Sequence, residues 1–149
     1  MIREGGAKTR SRAPVQAMCC FYFIPSKRQP AGWPHPQRLP LGDAFEGCCS
    51  APGHDGAQPG DEELKQCNLG YARCPRLPVE RPADAVRFGI GRDTGGELEI
   101  AYVCELNYLP GIHGTLVFSR AASAWVSPHS DARIQRKAQC FVETYLQRR

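Results

Sequence analysis

From Val86 to Cys104 the apolar residues fall on alternate positions. Val86, Phe88 and Ile90 alternate with Arg87 and Gly89, and Leu98, Ile100, Tyr102 and Cys104 alternate with Glu97, Glu99, Ala101 and Val103. A period of two is that of a half-buried strand, so each run predicts a strand and Asp93-Thr94-Gly95-Gly96 predicts the turn between them. Tyr108-Leu109-Pro110-Gly111 predicts a break, and Gly114 to Arg120 a third strand with Leu116 and Phe118 on one face. After Ser130 the period lengthens. Ile134, Ala138, Phe141, Val142, Tyr145 and Leu146 recur at i, i+4, i+7, i+8, i+11 and i+12, the stripe of a helix with one buried side. Ser130 or Asp131 suits its N-cap, and Arg148 and Arg149 suit the negative end of its dipole.

The first half of the chain is less periodic. Asp61 to Gln66 predicts a short helix, with Gly60 and Asp61 as cap and Glu62 and Glu63 at the positive end, so that its C-terminal end delivers Cys67. Leu41 and Phe45 fall at helical spacing and predict one short turn over Leu41 to Gly47. Arg76 to Pro82, with Pro78 and Pro82, predicts an extended linker. Prolines 14, 25, 30, 34, 36 and 40 keep any helix or ladder short before residue 41. Within that stretch Cys19, Cys20, Phe21, Tyr22, Phe23 and Ile24 form an apolar island suited to docking as an edge strand.

The expected architecture is therefore α+β in a single domain. Residues 1–40 read as a disordered, basic, Pro-rich tail and residues 41–149 as one small domain. Within the domain, 41–82 read as a loop-rich Cys/His metal-binding segment, and 83–149 as a three-stranded antiparallel sheet packed by a C-terminal helix.

Composition changes this picture little, except that fifteen glycines and thirteen prolines in 149 residues predict much loop and a small core. A metal staple would supplement such a core. No apolar run approaches 18 residues, which argues against a membrane span. The apolar stretch Val15 to Ile24 runs into Pro25-Ser26-Lys27-Arg28 without a small-residue cleavage site, so the reading is cytoplasmic rather than secreted. The net charge of +4 is unevenly spread, with residues 1–40 at +6, 41–100 at −5 and 101–149 at +3. The basic ends offer a contact surface for nucleic acid by counterion release, or simply solubilising flanks.

The strongest chemical signal lies between Cys48 and Pro75. Cys48, Cys49, His54, Cys67 and Cys74 fall within it, separated by turn-forming Gly and Pro, and thiolate and imidazole are the ligands of zinc and iron. In a reducing compartment clustered cysteines are ligands more often than disulfides, although a Cys67–Cys74 disulfide is an alternative. The expected ligand set is Cys49, His54, Cys67 and Cys74, with Cys48 as the alternative to Cys49 and His113 in reserve for His54. None of the spacings is the two-residue spacing of most small zinc sites, and Cys74-Pro75 matches the Cys-Pro ending of many cluster-binding runs. Iron-sulfur is thus preferred and zinc is the alternative. Cys104 and Cys140 read as buried packing residues.

The sequence carries no phosphate loop, His-Glu-x-x-His helix, dinucleotide fingerprint or Gly-x-Ser-x-Gly elbow, and Glu62-Glu63 and Glu97/Glu99 read as solvated charges. An enzymatic role is therefore the weaker expectation. The preferred reading is a small intracellular metal-centre protein with a structural, redox-sensing or electron-transfer role and a redox or protein partner. The alternative is a nucleic-acid or protein interaction module stapled by zinc, using its basic tail.

Overall fold

A computed structural model describes residues 19–29, 33, 35, 38–69, 74 and 76–148. Among the described residues, seven strands and two helices follow in order: β1 (Cys19–Cys20), β2 (Phe23–Arg28), β3 (Phe45–Cys49), α1 (Asp61–Leu69), β4 (Ala85–Asp93), β5 (Glu97–Leu106), β6 (Leu109–Ser119), β7 (Ala124–Ser127) and α2 (Ala132–Gln147). Five of the strands form an antiparallel sheet in the order β1-β4-β5-β6-β7, and β2 and β3 form a separate two-stranded ribbon.

This corrects the expected α+β domain with a three-stranded sheet: the described chain is mostly sheet, and the larger sheet has five strands. The alternation over β4 and β5 turns the same residues inward, for Leu98, Ile100, Tyr102 and Cys104 are all buried. Two strands escape that pattern. β7 is four residues long and mostly exposed, too short for a period to register. β1 is two residues of a continuous apolar run, buried throughout, and a strand covered on both sides shows no alternation.

The expected disordered tail is corrected over its described part. Cys19 pairs with Val86 and Cys20 with Ala85, so the first two residues of the apolar island form an edge strand of the main sheet, while Phe23 and Ile24 belong to the ribbon. β2 continues from it, with the register shift between Pro25 and Lys27 accommodating proline in the ladder. Residues 1–18 of that expected tail lie outside the described residues. The expected helical turn over Leu41 to Gly47 is instead the approach to β3, because Phe45, Gly47 and Cys49 alternate as buried positions against β2.

The expected break at Tyr108 to Gly111 is a tight hairpin. Asn107 and Tyr108 take φ of 52° and 68°, and β6 starts at once at Leu109. Pro110 fits there because β7 covers β6 only at Val117, Phe118 and Ser119, leaving the start of β6 an edge.

Helix α2 begins where its cap predicts: the Asp131 carboxylate accepts from the Arg133 N–H at 2.9 Å. It packs against β2 and β4 and buries Ile134, Ala138, Cys140 and Val142, and with them Lys137 and Thr144. Helix α1 runs three residues further than expected, which puts Cys67 inside its last turn. At its start the Glu63 carboxylate accepts from the Gly60 N–H at 2.9 Å, half of a capping box. Among the described residues no helix is long and apolar enough to cross a membrane.

Candidate functional site

Where β1, β3 and α1 meet, four cysteines line one half-open pocket: Cys20, Cys49, Cys67 and Cys74. They come from four separate segments. Cys20 ends β1, Cys49 ends β3, Cys67 lies in the last turn of α1 and Cys74 in the connection to β4. Strand geometry selects one thiol from each adjacent pair, since successive side chains point to opposite faces: Cys20 and Cys49 line the pocket, and Cys19 and Cys48 do not. Tyr22, Phe23, Ala51 and Leu77 supply apolar wall, and Glu63 and Arg76 line the pocket as an ion pair at 3.4 Å.

The main chain around these thiols is tied across the segments. Ser50 donates to the Tyr22 carbonyl through both its N–H and its hydroxyl, each at 2.8 Å, which joins the residue after Cys49 to β1's exit. The Phe21 N–H donates to the Asp84 carbonyl at 3.0 Å, anchoring the residue after Cys20 beside β4. The Cys19 thiol donates to the Cys67 carbonyl at 3.4 Å, linking β1 to the end of α1. The Asn68 side chain bonds Phe45 through both main-chain groups, at 2.9 and 2.8 Å. Three of the four thiols therefore stand on cross-braced backbone.

The electrostatics divide the four. The Cys20 thiol donates to Cys74, and this bond, followed by burial, holds the Cys20 proton on. The same bond is the main reason that Cys74 is drawn down to about 6; the main-chain N–H groups of Arg76 and Leu77 and the Arg76 charge add to it, against partial burial. Burial, then the neighbouring Cys74 and Cys49, push Cys67 up to about 12. Thiolate character in the pocket is thus drawn to Cys74, while Cys20 and Cys67 are held toward their protonated thiols. A thiophilic metal would displace those protons on binding.

Of the expected ligand set, the structure brings Cys49, Cys67 and Cys74 to this pocket and not His54. His54 is exposed in the turn after β3, where its N–H donates to the Ala51 carbonyl at 2.8 Å and its own carbonyl accepts from Ala57 at 2.9 Å. His113, the reserve, is exposed on β6 with a ring nitrogen 3.2 Å from the Gly111 carbonyl. Cys48 is half-buried on the other face of β3. Cys104 and Cys140 are core residues, their thiols pushed up to about 11 by burial. Residues 70–73 and 75 lie outside the described residues, so the Cys-Pro step is not placed.

Cys20 was not among the expected ligands. Its signal was a vicinal Cys pair in an apolar run, but the pairing that carries it to the pocket joins β1 to β4, sixty-odd residues away, and has no local signature. All eight cysteines are free thiols.

Among the described residues, no group of three or more His, Cys, Asp or Glu side chains could hold a metal ion. The cavity between the thiols and the apolar wall is about 30 Å³, where one water needs about 10–15 Å³ by the same measure. It has room for about two waters. No family model matches the chain, and neither a curated protein nor a solved structure does.

Proposed function

We propose that this chain is a small intracellular iron-sulfur protein whose cluster is held by Cys20, Cys49, Cys67 and Cys74, with an electron-transfer or redox-sensing role. The observation that carries the reading is the convergence of four thiols from four segments on one pocket with a mostly apolar wall. Four thiolates are the ligand complement of a [4Fe-4S] cluster, and such clusters are tuned by hydrogen bonds to sulfur of the kind Cys74 receives from Arg76 and Leu77. Cys20 takes the place first given to His54. The alternative is one zinc ion held by the same thiols.

A cluster wholly sealed in a core would suit a structural role. Here the pocket is half open and Cys74 and Cys67 are only half-buried, which suits exchange of electrons with a partner or contact with an oxidant. The thiols must stay reduced to accept iron, so the reading requires a reducing compartment.

The test is anaerobic reconstitution with ferrous iron and sulfide, followed by iron and acid-labile sulfide analysis and a visible spectrum. Matching iron and sulfide, lost in Cys20→Ser and retained in His54→Ala, is the expected result. Stoichiometric zinc without sulfide would replace the cluster by a zinc site, and a colourless protein that takes up neither metal would end the reading.

A further inference from the structure

Cys20 and Cys74 are in direct contact in the pocket. The Cys20 thiol donates to the Cys74 sulfur, and both residues line the same half-open cavity. Their surroundings differ. Cys20 is 5% exposed and ends β1, paired with Ala85 and held just beyond by the bond from the Phe21 N–H to the Asp84 carbonyl. Cys74 is half-buried and belongs to neither strand nor helix. One sulfur is therefore fixed and sheltered, while the other stands on irregular backbone and is reached from the open side of the pocket.

A disulfide needs its sulfurs about 2.05 Å apart and tolerates little backbone mismatch. A thiol hydrogen-bonded to a second sulfur already meets most of that demand, and a side-chain rotation supplies the rest. The Cys49 sulfur, by contrast, is turned to its own loop, where it accepts from the Ala51 N–H at 3.4 Å. Among the pocket thiols, contact thus selects Cys20 as the partner of Cys74.

We propose that Cys20 and Cys74 form a hydroperoxide-responsive thiol pair, with Cys74 oxidised first and Cys20 resolving it to a disulfide. The proposal concerns the metal-free chain and stands apart from the cluster reading. In the first step the Cys74 sulfur attacks one oxygen of a hydroperoxide. A sulfur–oxygen bond forms, the oxygen–oxygen bond breaks, and the alkoxide leaves as an alcohol with the Cys74 proton. Cys74 is oxidised by two electrons and the peroxide reduced by two. In the second step the Cys20 sulfur attacks the sulfenic sulfur, the sulfur–oxygen bond breaks, and hydroxide leaves as water with the Cys20 proton. Two thiols and one hydroperoxide become one disulfide, one alcohol and one water, and a thiol reductant reverses the change. The new bond staples β1 to the connection between α1 and β4 and withdraws two pocket sulfurs from any metal.

The test treats the reduced, metal-free full chain with stoichiometric hydrogen peroxide at neutral pH. The remaining thiols are then blocked with N-ethylmaleimide in denaturant and the peptides mapped without reduction. The expected result is loss of two of the eight free thiols, recovered as a Cys20–Cys74 linked peptide that dithiothreitol releases. In Cys20→Ser the linkage should disappear and dimedone should trap a sulfenic acid at Cys74. In Cys74→Ser both signals should be lost. A parent linkage of Cys74 to Cys67 or Cys49, retention of all eight thiols, or Cys74 driven to the sulfinic acid with Cys20 still a thiol would each overturn the proposal. Dimedone labelling of Cys20 in Cys74→Ser would overturn the assigned roles. If Cys20→Ser does not fold, the linkage in the parent decides. None of these outcomes depends on iron uptake, so failure here leaves the cluster reading standing, and a chain that takes up no iron leaves the thiol pair standing.

Discussion

Asn68 pairs with Phe45 as a neighbouring strand would: its side-chain oxygen accepts from the Phe45 N–H at 2.9 Å and its amide nitrogen donates to the Phe45 carbonyl at 2.8 Å. The bond pair docks the end of α1 on the start of β3, so the residue after Cys67 is fixed to the strand that ends in Cys49. Asn68 is buried, and water cannot replace it there. Asn68→Leu would leave two buried main-chain groups unpaired and is expected to cost about 2–5 kcal/mol in denaturant unfolding. Asn68→Asp keeps the acceptor and loses the donor, so it should fall between the parent and the leucine variant. A leucine variant as stable as the parent would show that the pairing carries no weight.

Gly47 lies in β3 two residues before Cys49, and a Cβ there would stand 2.1 Å from the Ile24 carbonyl oxygen of β2. That atom belongs to the main chain of the paired strand and cannot swing aside. Gly47→Ala should force the ribbon apart, at a cost of about 1–3 kcal/mol. Because the ribbon presents Cys49, iron uptake on reconstitution should fall in the same variant. Gly53→Ala is the control: its added Cβ meets nothing within 4 Å, although its φ of +82° brings strain of its own, and under the proposed cluster reading it is expected to match the parent's iron uptake on reconstitution.

The legible parts of this fold are those whose partners are close in sequence. The β4–β5 hairpin declares itself through alternation and the turn at Asp93 to Gly96, and α2 through its stripe and Asp131 cap. The ribbon and β1 do not, because Phe23 pairs with Cys49 and Cys19 with Val86 across intervening loops and prolines. The site divides the same way. Cys49, Cys67 and Cys74 stand out by density along the chain, whereas Cys20 reaches them only through the sheet. Lys137 was hidden for another reason: at i+3 from Ile134 it lies inside the apolar stripe, where a lone lysine reads as a side chain that reaches round to solvent. The physical clue was its place on the inner face, and only the packing of α2 on β2 and β4 turns that clue into a buried charge.

Asp131 ties the stability of α2 to acid. The Arg133 side chain and then its N–H hold the Asp131 carboxyl below the usual carboxylate range. A carboxyl with a depressed folded-state value stabilises fully above its unfolded value of about 3.9 and loses that contribution as the pH falls through the folded value. Stability should therefore decline from about pH 4 downward, with Asp93, held down chiefly by the Gly95 N–H and the Tyr145 hydroxyl, adding to the slope. Asp131→Asn keeps a capping oxygen but cannot titrate, so urea midpoints of this variant should fall less steeply than the parent's between about pH 4 and about pH 2. Parallel slopes would show that Asp131 does not couple the helix to protons.

Cys74 should betray the pocket by its reactivity before any metal is present. With its thiol drawn down to about 6 by the hydrogen bond from Cys20, it is mostly thiolate at neutral pH, while Cys67 is pushed up to about 12 and Cys104 and Cys140 to about 11. Thiolate is the species that alkylates. In metal-free, reduced protein, iodoacetamide at neutral pH should mark Cys74 well ahead of Cys67, Cys104 and Cys140, with a rate that rises through about pH 6. Cys20→Ala removes the donor, so the Cys74 value should climb toward that of an ordinary thiol, about 8.5, and its thiolate fraction at pH 7 should fall by about ten- to thirtyfold. Peptide mapping by mass spectrometry reads both effects. Equal labelling of Cys74 in the two proteins would show that Cys20 does not lower the Cys74 thiol.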